Sequence, residues 1–139
     1  MLETELLHPP LLAALAAAGH GDHIVIADAN FPLRTATDRS VDVVHLNLRP
    51  GLVGVLDVLE PVLRAVPVEA ATFMASPDGA EVEAHHDYRR ALGPDVAIDV
   101  VDRWAFYDWT RAAGVAVVVV TGDQRLCANV VLTVGVRTA

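Results

Sequence analysis

The chain has 139 residues and a formal net charge of −8, and more than half of its residues are apolar while few are aromatic. That length suits one domain, residues 1–139, which buries most of its apolar surface without disulfides or a structural metal, and the apolar content excludes a disordered chain. The negative charge repels a phosphate backbone and an anionic lipid surface alike, so no nucleic acid and no membrane is expected as partner, whereas a neutral small molecule is easily accommodated.

Pro9 and Pro10 suit the start of a helix, Leu11, Leu12 and Leu15 share a face across LLAALAAAG, and Gly19 offers a left-handed C-terminal cap. This helix delivers His20 to a turn. The run Ile24, Val25 and Ile26 in HIVIAD is too short for a stable helix and predicts a strand buried on both faces, with Asp28 at its carboxyl end. Pro32 keeps the preceding residue out of helical geometry, making 29–32 a loop above that strand. A second strand is expected at VDVVHLNL, residues 41–48, before Pro50 and Gly51; residues 52–66 then read as a helix that Pro61 must kink or divide, since an interior proline costs about 3 kcal/mol.

AATFMA, residues 70–75, predicts a third strand, and PDGAEVEAHHDYRRALG a mainly solvated surface helix with acids early and arginines late, matching the helix dipole. VAIDV reads as a strand, RWAFYDWTRAAG as an amphipathic helix capped by Gly114, and VAVVVVTGD as the clearest buried strand, with VVLTVGV near the end of the chain. The alternation of strands and helices predicts the α/β class: a three-layer α/β/α domain with a mostly parallel or mixed central sheet. Loops leaving the carboxyl ends of such strands form the usual ligand crevice, which gathers Asp28, the 29–32 loop and the loop after Thr121.

GHGDHIVIADANFP, residues 19–32, concentrates the candidate chemistry. Glycines on both sides of His20 leave its imidazole unobstructed, as a proton-transfer group facing a cleft requires; a polar helix-capping turn is the alternative. Asp28 reads either as a carboxylate able to accept hydroxyl protons or to raise the pKa of a nearby imidazole such as His20, or as an Asx-turn organising the loop, and the two roles are compatible. His8, His23, His85 and His86 fall in no recognised ligand arrangement, and the adjacent His85 and His86 diverge by about 100° on a helix, so no metal is expected. His45, in a strand pattern, reads as a sheet residue.

TGD, residues 121–123, lacks the G-x-G-x-x-G and Walker contexts, so a dinucleotide or ATP site is rejected and no cofactor is expected. Arg103, Phe106 and Tyr107 form a mixed polar and aromatic group of the kind that grips sugars, although core packing by Phe106 and Trp104 with Arg103 solvated is the plainer reading. Cys127, the only cysteine, reads as a small buried hydrophobe and forms no intrachain disulfide, which suits a reducing compartment such as the cytoplasm. The opening MLETELLHPP carries early acids and no basic segment, unlike a signal peptide, and the run Val115 to Val120 falls far short of the roughly 20 residues that cross a bilayer.

GHGDHIVIADANFP, followed downstream by DRWAFYDWTRAAG and TGDQRLCANVVLTVGV, resembles the L-fucose mutarotase and D-ribose pyranase family over nearly the whole chain. The resemblance implies a monosaccharide substrate, proton donation by His20 and sugar binding by Asp28. Arg103, Phe106 and Tyr107 resemble the fucose branch, since the pyranase branch typically has histidine in place of Arg103. Glu69 is the nearest match to an acid that fucose mutarotases carry after the middle helix, and with Tyr107 it is a candidate for relaying a second proton. Asn129 is retained from the family's pattern, while Cys127 replaces a tyrosine and removes its hydroxyl from the binding set. The family also implies a homo-oligomeric ring, often a decamer, with sites near subunit interfaces. Pyranase-type activity on ribose, or sugar binding without catalysis, are the alternative readings.

Overall fold

The computed structural model describes residues 1–139. Its elements in chain order are α1 (Pro9–Ala17), β1 (His23–Ala27), α2 (Leu33–Ala36), β2 (Asp42–His45), α3 (Val55–Ala65), β3 (Val68–Met74), α4 (Glu83–Leu92), β4 (Ala97–Val101), α5 (Arg103–Arg111), β5 (Val115–Val120) and β6 (Val130–Val134). The strands form one sheet in the order β2-β5-β1-β6-β3-β4. Neighbours run parallel except β6, which lies antiparallel to both β1 and β3. The carboxyl ends of the other five strands therefore share one edge with the amino end of β6.

This mixed sheet is the middle of a three-layer α/β fold. Helix α3 lies on β1 and against α4, α5 lies on β3 and against α2, and α1 covers β5 and β2. Central position explains the unbroken apolar runs: Ile24 to Ala27 in β1 and Val117 to Val119 in β5 are fully buried, as strands covered on both faces must be. Strand β2 ends at His45, earlier than the apolar pattern predicts, because it is an edge strand whose only partner, β5, runs out at Val120. His45 itself is exposed.

Several local expectations are corrected. Helix α1 begins on its two prolines, with His8 Nδ1 accepting the Leu11 N–H, but Gly19 is not its left-handed cap. The chain leaves extended at Ala18, and the positive φ falls at Gly21 (85°), whose N–H donates to the Val134 carbonyl and turns the chain into β1. Gly114 likewise caps nothing: α5 ends extended at Ala112, and strand β5 follows at once. Pro61 sits inside an undivided α3; Asp57, whose carbonyl it cannot bond, is on the exposed side, while Val55, Val58, Leu59 and Val62 bury the opposite face. Helix α4 is not mainly solvated, for Ala84, His85, Tyr88 and Leu92 are all buried.

The TGD turn has a structural reason. A Cβ on Gly122 would lie 2.3 Å from the Leu52 carbonyl oxygen and 2.6 Å from that of Arg49, so only glycine allows this approach. Thr121 Oγ1 donates to the Ala27 carbonyl at 2.8 Å, and Asp123 Oδ2 accepts the N–H of Val55 at the start of α3 at 3.1 Å.

Candidate functional site

A cavity of about 340 Å³ opens at the carboxyl edge of the sheet. Its lining comes from the β1 loop (Asp28, Asn30, Phe31, Pro32), the end of β3 and the turn beyond it (Met74, Ser76, Pro77), the first turn of α5 (Arg103, Tyr107) and the segment entering β6 (Leu126, Cys127, Asn129). The strand-end rule thus placed Asp28 and its loop correctly beside the segment after Thr121. Arg103 lines the cavity while Phe106 is wholly buried, and Trp104, expected in the core, is 71% exposed. Arg103 and Tyr107, four apart, share a face, and Trp104 lies at its outer side with its ring edge-on to Tyr107, centroids 6.0 Å apart.

Asp28 is nearly enclosed and tied from several sides. Its Oδ1 accepts the Asn30 N–H at 2.9 Å, making the Asx-turn, while its Oδ2 accepts Asn129 Nδ2 and its own N–H donates to Asn129 Oδ1, both at 2.8 Å. Asp28 therefore organises the loop and also lines the cavity. Burial pushes its pKa above the usual carboxylate value, against the lowering effect of hydrogen bonds from Asn30, Asn129 and the Ala128 backbone. Burial likewise raises the Tyr107 phenol and the Cys127 thiol, each opposed by the nearby Arg103 guanidinium.

Cys127 is buried as expected, yet it also faces the cavity and adopts φ 59°, a left-handed conformation that costs a non-glycine residue about 1–2 kcal/mol. That strain persists only where surrounding contacts hold it.

His20 lies elsewhere. It sits in the turn before β1, at the opposite edge of the sheet from Asp28, and the five residues of β1 alone separate the two ends by about 13–16 Å. The carboxylate beside it is Glu69, near the start of β3, with Nε2 to Oε2 at 3.2 Å and both side chains about half exposed. The expectation that Asp28 acts on the His20 imidazole is corrected to this extent: within one chain the two do not meet, because the strand that carries both runs the full height of the sheet. Glu69 is likewise absent from the cavity and belongs with His20. His85 and His86 diverge as expected, His85 into the core and His86 outward to Glu81 at 3.1 Å.

Sequence reasoning missed Ser76 and Pro77. The signal is present in Ser-Pro-Asp-Gly, a turn pattern directly after a strand, of which the expected helix takes in Pro77 to Gly79. No helix of the protein is long and apolar enough to cross a membrane.

Comparison with known proteins agrees with the fold. A model of the RbsD / FucU transport protein family matches residues 1–137. The chain is 38% identical over 136 residues to a D-ribose pyranase of Paracidovorax citrulli (98% of each chain covered) and 33% identical over 146 residues to the fucose mutarotase of Homo sapiens (94% of this chain, 90% of that one). Among solved structures, Bacillus subtilis RbsD complexed with D-ribose superposes with a TM-score of 0.86 at 27% identity, covering 99% of this chain and 100% of that one. With the family model spanning almost every residue and the relatives matching end to end, the chain belongs to the RbsD / FucU family, which includes fucose mutarotases and D-ribose pyranases.

Proposed function

We propose that the protein is a sugar mutarotase that interconverts the anomers of a monosaccharide such as L-fucose, at a site built from the cavity of one subunit and His20 of a neighbour. The observation that carries this reading is the division of the candidate residues. Asp28, Asn129, Arg103, Tyr107 and Cys127 share a cavity of ligand size, while the His20–Glu69 pair stands exposed at the other edge of the sheet. A pocket rim bearing the exposed Trp104 and Leu126 suits burial against another copy, consistent with a homo-oligomeric ring. The lone thiol suits a reducing compartment such as the cytoplasm.

Ring opening needs the ring oxygen protonated while the anomeric hydroxyl gives up its proton, breaking the bond from that oxygen to the anomeric carbon and leaving an aldehyde. Rotation and closure on the other carbonyl face complete the exchange. His20 donates the first proton, imidazole being the side chain type suited to such transfer near neutral pH, and Glu69 orients it through their hydrogen bond. Tyr107, in the cavity, relays the second proton. Asp28 and Asn129 accept and donate to sugar hydroxyls, and the Arg103 fork anchors them. This chemistry needs no redox change and no cofactor.

Magnetisation exchange between α and β anomers in equilibrated L-fucose, D-ribose and D-galactose tests the reading and its alternatives. Preferred conversion of ribose between pyranose and furanose forms would make it a pyranase, and binding without faster exchange a sugar-binding protein. His20→Ala is expected to lower exchange by about 10² to 10⁴-fold. Co-expression of His20→Ala with Asp28→Asn subunits is expected to restore activity at roughly a quarter of the sites, by random pairing of complementary neighbours. No recovery in mixed assemblies would rule out a shared site.

A further inference from the structure

We infer that Tyr88, packed beside His85 on α4, is a positioning residue that holds the Cys127–Asn129 turn from behind and through it fixes the Asp28 carboxylate at the cavity. This rests on the reading of that cavity as the sugar site. Neither residue lines the cavity, and both are buried, Tyr88 completely. The Tyr88 phenol donates to the Ala128 carbonyl at 2.9 Å, a carbonyl in a residue with no exposed surface, so the phenol supplies a donor that bulk water cannot. The His85 ring packs on Phe73 with centroids 4.7 Å apart, and its buried Nε2 has no hydrogen-bond partner.

The consequences run through two consecutive peptide groups. The peptide joining Cys127 to Ala128 has the Asp28 carboxylate at its N–H, and the next has Tyr88 at its oxygen. Asn129 then clasps Asp28 with both ends of its amide. The left-handed Cys127 requires such restraint on both sides, and α4 provides the side away from the ligand.

Other charges face this group. Arg125 lies over the Tyr88 ring at 5.9 Å and is held by Asp87 and Asp123; Asp123 also faces Asp28, and Arg89, His86 and Glu81 face His85. Tyr88→Phe leaves all of them in place.

The test is the titration of the Asp28 carboxyl carbon by ¹³C NMR without sugar, in wild type and Tyr88→Phe, followed by the affinity of each for L-fucose and D-ribose. Loosening the turn withdraws hydrogen bonds from the ionised carboxylate, so the midpoint is expected to rise by about half a pH unit or more and affinity at neutral pH to fall several-fold. If Tyr88→Phe does not fold, Tyr88→Met, which likewise removes the phenol donor, is expected to move the midpoint the same way. An unmoved midpoint in whichever variant folds overturns the inference. Because the titration uses no sugar, a wild type that fails to exchange anomers would sink the mutarotase reading while leaving this result to stand or fall separately.

Discussion

Asp28 combines two demands that pull its chemistry in opposite directions. Its Oδ1 closes an Asx-turn and its Oδ2 takes the Asn129 amide, yet burial raises its pKa above the ordinary 3.8. A carboxyl raised on folding adds stability at low pH that is lost as pH climbs from its unfolded value through its folded one, so at neutral pH the ionised Asp28 costs stability. At the proposed sugar site, binding has the opposite sign, because only the carboxylate accepts hydroxyl protons without competing as a donor. Calorimetric titrations in the acidic range are therefore expected to show affinity falling as pH drops, with a midpoint above 3.8. Asp28→Asn should lower affinity by about 10 to 100-fold at neutral pH, the value of a hydrogen bond to a charged acceptor. Asp28 was legible in the sequence as a strand-end acid beside a proline loop, whereas its clasp by Asn129, 101 residues away, was not.

At the scale of elements, the segment from Thr121 to Asn129 joins the core to the cavity. Asp123 caps α3 and binds Arg125 Nη2 at 2.7 Å, and Arg125 reaches Asp87 on α4 at 3.2 Å. Burial pushes Asp123 upward, but the hydrogen bonds from Arg125 and from the Val55 and Arg125 N–H groups outweigh it and leave the carboxyl below 3.8. A group lowered on folding contributes stability that is present above its unfolded pKa and lost as pH falls through the folded one, so this contribution fades only below 3.8. Asp123→Asn is expected to reduce stability at neutral pH by about 2–3 kcal/mol, after discounting the third-exposed Arg125 for solvent screening, and to flatten the acid limb of urea midpoints measured against pH. Helix α4 illustrates what periodicity underweights. Its polar composition hides a buried stripe of Ala84, His85, Tyr88 and Leu92, whose aromatic and imidazole groups count as hydrophilic until a carbonyl and a phenyl ring meet them.

For the whole molecule, the exposed apolar side chains are informative. Trp104 and Leu126, 71% and 74% exposed, stand beside cavity residues Arg103 and Cys127, so a neighbouring copy that brings His20 to the cavity would cover them. Trp104→Glu and Leu126→Glu are each expected to shift the mass measured by light scattering towards the monomer, and to lower anomer exchange in proportion, with the circular dichroism spectrum retained. A variant that stayed assembled and fully active would place the subunit contact elsewhere.

Local pattern alone determined the α/β class, the buried β1 and β5, the proline start of α1 and the strand-end position of Asp28, because each depends on residues within a few positions of one another. Tertiary structure alone decided that β6 runs antiparallel between β1 and β3, that Asn129 clasps Asp28 in a cavity that Arg103 also lines, and that His20 stands at the far edge beside Glu69. Those outcomes depend on which strands become neighbours and in which direction they run. Contacts between residues a hundred positions apart settle that, and periodicity along the chain carries no record of them.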